Sequence, residues 1–399
     1  MDRGSRQGGG LLSASTEGQT VIVLGGGVGG LVAAVELRKQ LPKKHRVVLV
    51  EREENNVFAP SLLWLMTGTR TASQISRPMA GVSKRGVDVI RGTVEKVEPG
   101  QRRVTVNGQA MTADHLVVAL GAEFADETIP GLSAAGHNFY TLAGAEHFWE
   151  ALANFKGGRI VVLTAAPAYK CPAAPYEAAM LIEHSCRKRG LGGETKVDLY
   201  AAEPGPMGVA GPDVSAAVRG MVEGKGIGYH PNHQVTSVDV AAKELVFANG
   251  AKAAFDLLAY VPPHRAPRVV LDCGMTAESG WVTVNRETME TSFPGVYALG
   301  DVTSIPLKMG KPLPKAGVFA HAQAEVVASN IARIITGKEA GARFDGHGAC
   351  FVETGDGKAG FGNGNFYGDP TPQVALKAPG RQWHAAKVLF EKNWLHKWF

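Results

Sequence analysis

The stretch Thr20–Glu51, TVIVLGGGVGGLVAAVELRKQLPKKHRVVLVE, decides the fold. An apolar strand, TVIVLG, opens into GGGVGG (Gly25 to Gly30), continues as LVAAVELRKQL with helical periodicity, and returns as a second apolar strand, HRVVLVE (His45 to Glu51). This is a βαβ unit with G-x-G-x-x-G spacing at Gly25, Gly27 and Gly30. Gly25 permits the tight turn, Gly27 lets the backbone approach a pyrophosphate, Gly30 lets helix lie close on strand, and the helix N-terminus offers free N–H donors to the anion. Glu51 stands at the end of the next strand, where an acid holds ribose hydroxyls. An acid there favours a free 2′-hydroxyl, so the motif selects FAD or NAD over NADP without choosing between the two.

A second beginning of the same kind lies downstream. GGRIVVLTAAPAYKCPAAPYEAAMLIEHSCRKRG reads as strand, loop and helix, and TKVDLYAAE (Thr195 to Glu203) follows as a strand. Alternating strands and helices predict an α/β protein with parallel sheets, built as two Rossmann-like dinucleotide-binding domains. The β-rich stretches GVDVIRGTVEKVEPGQRRVTV and HQVTSVDVAAKELVFANG read as meanders inserted one into each half. The expected division is a disordered arm over 1–19, a first part of the first dinucleotide-binding domain over 20–150, a second Rossmann-like domain carrying Cys171 over 151–265, the rest of the first domain over 266–338, and a C-terminal region with Cys350 and an amphipathic tail over 339–399.

Composition agrees with that division. A chain of 399 residues exceeds what one hydrophobic core usually serves, and 45% apolar with 20% charged residues is ordinary globular usage. The 50 glycines are in excess, and they cluster after apolar runs, where backbones turn or approach ligands. A net charge of +5 without a basic block makes nucleic acid a disfavoured partner. Four cysteines, Cys171, Cys186, Cys273 and Cys350, lie too far apart for a CxxC redox motif or a zinc site, so no metal is predicted and any cysteine chemistry is long-range. The N-terminus has no apolar signal core and no apolar run reaches membrane-spanning length, which predicts a soluble or peripheral protein without a secretory signal.

The second half lacks what the first half has. After RIVVLT the chain reads Ala165, Ala166, Pro167, Ala168, Tyr169, Lys170, with side chains where a phosphate cradle needs glycine and a proline that removes a donor. No nicotinamide cofactor is expected there. Cys171 takes the place instead, and a helix starting at Pro172 or Pro175 would lower its thiol pKa and make it nucleophilic. A small buried structural cysteine is the alternative.

Two further strand ends, HLVVALGA (His115 to Ala122) and GVYALGDVT (Gly295 to Thr303), resemble the pyridine nucleotide-disulfide oxidoreductase superfamily. That resemblance implies FAD, with its pyrophosphate at the first glycine motif and its ribityl chain at Asp301. A helix N-cap before VTSI is the other reading of Asp301. KCPAAPYEAA around Cys171, KPLPKAGVFAHAQA (Lys311 to Ala324) and GACFVETGDGKAGFGNGNF (Gly348 to Phe366) together resemble the sulfide:quinone oxidoreductase and flavocytochrome c sulfide dehydrogenase family, from about Thr20 to the C-terminus.

The resemblance implies that Cys171 and Cys350 form a redox pair beside the flavin. Sulfide attacks their bridge, two electrons enter FAD, sulfur leaves as polysulfide, and an acceptor takes the electrons. Glu177 is a candidate proton acceptor or else a solvated helix residue, and His137 is a candidate catalytic loop histidine or else simply exposed. Cys186 and Cys273 are expected to be structural. GAEFADETIPG lacks a third cysteine that many quinone-reducing members carry, which bears on the sulfur product.

Phe58, Pro60 and Ser61 are expected near the flavin ring. Lys315 and Gly317 precede a helix and would stabilise negative charge on the flavin, with a surface lysine as the alternative. Val94, Gly121 and Gly300 complete the predicted cofactor set. Trp383, Trp394 and Trp398, three of six tryptophans, join Phe390 in a basic, aromatic C-terminal helix that either lies in a membrane interface or docks on its own core or a dimer partner. Phe361, Phe366 and Tyr367 are candidate residues of a quinone pocket. The expected protein is thus a peripheral membrane enzyme passing electrons from sulfide to a quinone, with homo-oligomerisation left open. A cytochrome acceptor, an NADH:quinone dehydrogenase and a flavin redox sensor without turnover are the rivals.

Overall fold

The computed structural model describes residues 18–399, so the arm expected over residues 1–19 falls almost wholly outside the described residues. Two five-stranded parallel sheets dominate. The first has the spatial order Val296–Ala298, His115–Val118, Thr20–Leu24, Arg46–Glu51, Asp88–Arg91. The second has the order His137–Asn138, Leu257–Val261, Gly158–Thr164, Thr195–Ala201, Gly228–His230. The runs Val21–Leu24, Val47–Val50 and Ile160–Leu163 are wholly buried, as strands covered on both faces must be. Each half also carries its antiparallel meander, at 94–112 and 235–254.

The chain leaves the first sheet earlier than the expected boundary at residue 150. His137–Asn138 pairs with the second sheet, and the helix Leu142–Asn154 buries Ala145, Phe148 and Leu152 in the core of that half. The histidine and asparagine there belong to no recognisable apolar run, so the strand has no sequence signal. The two linkers between the halves pair with each other, Glu123–Phe124 against His264–Arg265.

The C-terminal region is a three-stranded antiparallel sheet, His347–Gly355, Lys358–Asn365 and Gln373–Gly380, followed by the helix Arg381–Lys397. Asp356 at its first hairpin accepts hydrogen bonds from Arg187 at 2.9 Å and Lys225 at 3.0 Å. That contact sets the strand carrying Cys350 against the helix that follows Cys171.

The last helix docks on its own chain, the second of the two readings open to this tail. Trp394, Leu395 and Trp398 are buried in the first core, and Trp398 retains only 1% of its surface. Lys387 is buried against Glu177 at 3.0 Å; Glu391 is buried and accepts from Ser61 Oγ at 2.5 Å and Arg70 at 2.8 Å. Aromatic residues four apart on one face fill the core, and the polar residues on that face each meet a partner, so the inward side is satisfied without lipid. Leu389 and Phe390 stay outside, 58% and 45% exposed. Among the described residues no helix is long and apolar enough to cross a membrane.

A docked Trp398 makes a stability prediction. Trp398→Ala should cost about 3–5 kcal/mol, the usual price of truncating a large buried aromatic. A urea titration followed by circular dichroism would show it as an earlier midpoint, whereas an interface-facing tryptophan would leave the midpoint unchanged.

Candidate active site

A cleft of about 740 Å³ opens at the carboxyl ends of the first sheet's strands and runs to the second half. It is lined by Gly25, Gly27, Glu51, Pro60, Val94, Gly121, Gly300, Asp301, Lys315 and Gly317, every expected cofactor residue except Gly30. Gly30 serves the fold directly beneath: a Cβ there would come within 1.8 Å of the Gly25 carbonyl oxygen. Gly25 turns at φ +96. Gly27 caps the Val28–Gln40 helix with no side-chain capping bond and no acid in the first turn, and a Cβ on it would meet nothing within 4 Å. Packing does not require glycine at that point, so the open space fits a ligand against the backbone.

Glu51 is fixed beside it, accepting from the N–H of Gly26 at 2.5 Å and of Glu53 at 2.8 Å. Across the cleft, Asp301 is a second sign of fit. Its Oδ1 is buried without a protein partner, and burial raises its carboxyl pKa against the pull of Lys170 and Lys315. An unpaired buried acceptor facing a cleft suits a polyol hydroxyl, which accords with a ribityl chain. The residues present therefore fit FAD.

Lys315 lines the cleft and is no surface lysine. Its ammonium donates to the Asp301 and Thr303 carbonyls, both at 2.8 Å, and sits over the Trp281 ring. Burial lowers its pKa to about 8. Its charge thus ties the cleft wall together. A second cleft lysine, missed in the sequence, is Lys170, which lies beside Cys171, rests over the Phe124 ring at 4.7 Å, and has its pKa lowered by burial. Of the three residues expected near the flavin ring, only Pro60 lines the cleft. Phe58 packs on Phe390 and Trp394, and Ser61 bonds Glu391, because the last helix covers that side.

Cys171 reaches the cleft from the second half. Its residue sits at φ +52, and Ala168 at φ +66, left-handed conformations that cost a non-glycine residue roughly 1–2 kcal/mol each. The Cys171 N–H donates to the Lys315 carbonyl at 2.7 Å, and the Tyr140 hydroxyl donates to the carbonyls of Lys170 at 2.9 Å and Cys171 at 3.2 Å. The helix begins at Ala174.

The expected lowering of the Cys171 pKa is reversed. Burial pushes the thiol up, with the charges of Cys350 and Glu177 adding to the shift, while Lys387 and the Ala174 N–H oppose it. Cys350, on the strand His347–Gly355, is likewise raised by burial, to about 11. Cys350, so distant in sequence, is near enough for its charge to act on Cys171. Both are thiols here.

Glu177 is not a solvated helix residue. Its carboxylate is buried, accepting from the Glu353 N–H at 2.8 Å and the Lys387 ammonium at 3.0 Å. Burial opposes the Lys387 charge, but Glu177 and Glu353 outweigh it and raise its pKa. Glu353 in turn meets His384 at 3.0 Å. Lys387, Glu353 and His384 carried no sequence signal, since a lysine in an amphipathic helix reads as surface.

Other candidates lie elsewhere. His137 is on the edge strand of the second sheet with its ring against Phe148, lines no part of the cleft, and has its pKa lowered by burial. Phe361, Phe366 and Tyr367 are not brought together. Phe361 stacks on Trp383 at 4.6 Å and leans on Phe351, which neighbours Phe390. Phe366 packs on Phe319, and Tyr367 donates to the Arg286 carbonyl with the Arg286 guanidinium over its ring. Phe366 and Tyr367 follow the end of the strand Lys358–Asn365 and pack with Phe319 and Phe344, away from Phe361.

Comparison with known proteins accords with this geometry. Residues 19–324 match the pyridine nucleotide-disulphide oxidoreductase family. The chain is 27% identical over 398 residues to the sulfide-quinone reductase of Aquifex aeolicus, covering 94% of this chain and 90% of that protein. It is 26% identical over 349 residues to the mitochondrial sulfide:quinone oxidoreductase of Mus musculus, covering 84% and 75%. The solved structure of the Aquifex aeolicus sulfide:quinone oxidoreductase superposes with a TM-score of 0.86 at 25% identity, over 95% of this chain and 91% of that one.

Two measurements check the site. Gly27→Val should fold, by circular dichroism, yet purify without visible flavin absorbance, because its side chain enters only open cleft. In the reduced protein, alkylation of Cys350 should climb about tenfold per pH unit to beyond pH ~10, since only the thiolate reacts. Lys387→Met, by removing the cation that favours that thiolate, should move the profile further alkaline; a plateau near the ordinary thiol value of about 8.5 would contradict the assignment.

Proposed function

Because the chain belongs to the pyridine nucleotide-disulphide oxidoreductase family and is a FAD-dependent oxidoreductase, we propose that it oxidises sulfide through Cys171 and Cys350 and reduces a quinone. The observation that carries the reading is the thiol of Cys171 in the cleft, on the loop where the second half has side chains in place of a glycine turn, with Cys350 near enough for its charge to act on that thiol.

In the oxidised protein the two sulfurs form a bridge. Hydrosulfide attacks one sulfur, a new S–S bond makes a persulfide on that cysteine, and the other cysteine leaves as a thiolate. Bound FAD would supply the two-electron acceptor for the reduced sulfur pair and hand those electrons to the quinone. Lys387 stabilises the leaving thiolate, because its buried ammonium is the cation that opposes desolvation at both sulfurs. Glu177 accepts the proton released as sulfide becomes the nucleophile, and its hydrogen bonds from Lys387 and the Glu353 N–H hold it in place for that. A further sulfide lifts the sulfur off as polysulfide.

The quinone is met by the aromatic group Phe351, Phe361, Trp383 and Phe390, next to the two exposed side chains Leu389 and Phe390 of the last helix. On this reading the protein is peripheral and dips that short patch, in place of the tail as a whole, into a membrane surface.

Anaerobic titration tests the reading. Sulfide should bleach the flavin absorbance, NADH should not, and a short-chain quinone should restore it; bleaching by NADH alone would sink the proposal. Cys171→Ser and Cys350→Ser should each slow sulfide bleaching by at least about a hundredfold while the flavin stays bound, because either change removes the bridge. Unchanged rates would make the cysteines structural.

A further inference from the structure

The two halves end their second strands alike, and the two acids there have opposite fates. In the first half Glu51 lines the cleft. In the second half Glu203 follows the strand Thr195–Ala201 and turns inward. Its Oε1 accepts from the hydroxyls of Tyr169 at 2.5 Å and Tyr176 at 2.8 Å, and its Oε2 accepts from Thr164 at 2.7 Å. These donors come from the strand end before the Cys171 loop, from the loop itself, and from the first turn of the helix after it. All three donor residues are buried, and Thr164 Oγ1 also accepts from the Ala202 N–H at 3.1 Å, which ties the latch to the neighbouring strand.

We infer that Glu203 is a positioning residue for Cys171: by gathering three hydroxyls from both sides of the loop, it holds the strained backbone that presents the thiol to the cleft. Non-glycine residues keep left-handed conformations only where their surroundings over-determine them, and Ala168 and Cys171 are both in that region. The Lys315 carbonyl and the Tyr140 hydroxyl grip the loop near Cys171 itself, but neither reaches the Ala168 side. Tyr169 does, through Glu203. A carboxylate acceptor makes these hydrogen bonds stronger than neutral ones. The acid that nucleotide-binding halves turn toward a ribose is here turned to the service of a thiol loop.

The inference rests on the reading of Cys171 as the redox thiol, and its test is independent of sulfide. The FAD-loaded protein is reduced, freed of reductant and alkylated with iodoacetamide at fixed pH, and the modification of Cys171 and of Cys350 is followed separately by peptide mass. Glu203→Ala should speed Cys171 alkylation at least tenfold with Cys350 unchanged, and Glu203→Gln, whose amide oxygen still accepts, should return the rate most of the way. Tyr169→Phe, a milder change that guards against a folding defect, should give a several-fold rise in the same direction. Wild-type rates at Cys171 in both Glu203→Ala and Tyr169→Phe, or equal acceleration at both cysteines, would overturn the inference. Failure of sulfide to bleach the wild-type flavin would refute the proposed function and leave this result standing.

Discussion

The Lys387 ammonium and the Glu177 carboxylate, 3.0 Å apart and both shut away from solvent, join the last helix to the helix behind Cys171 and, through the Glu353 N–H, to the strand of Cys350. Three segments far apart in sequence meet at one pair of charges. Either charge alone would be costly in that interior, on the order of 3–5 kcal/mol for the partner left behind, so the three segments must assemble together. The rest of the site follows from this. The last helix covers Phe58 and Ser61, turns Phe390 toward Phe351, and leaves Leu389 and Phe390 as its exposed apolar side chains. The same pair sets the electrostatics of the sulfurs, where burial raises both thiols and Lys387 alone among the named charges works the other way.

The two halves share a topology and differ in one loop. In the first, glycines bring backbone to a ligand and leave open space at Gly27. In the second, alanine, proline and tyrosine fill the corresponding turn, and the chain is forced through left-handed conformations at Ala168 and Cys171. Strain of that kind persists only with compensation, and hydrogen bonds to Tyr140, Lys315 and Glu203 provide it. A scaffold that could carry a second nucleotide thus carries a thiol, with the linker pair Glu123–Phe124 and His264–Arg265 keeping the two halves in register across the cleft.

Much of this was legible beforehand because it depends on local pattern. Strand, glycine turn and helix are neighbours in the chain, so Gly25, Gly27 and Glu51 could be placed by spacing and Asp301 by resemblance, and all four line the cleft. The missing glycines between Thr164 and Cys171 were equally plain. What misled was chemistry inferred from local context alone. Nearness to a helix start predicted a lowered Cys171 pKa, but burial dominates; Trp394 and Trp398 read equally as an interface face or a docked one, and the core takes them.

Local pattern was enough for the two-halved α/β fold, the glycine turn and acid that line the cleft, and the glycine-free turn before Cys171, because each follows from residues within one βαβ unit. Only the tertiary structure decided which charges accompany the sulfurs. Glu177, Lys387, Glu353 and Glu203 are ordinary polar residues of helices and strand ends until distant segments bury them, and burial is what converts a solvated charge into one that must find a partner.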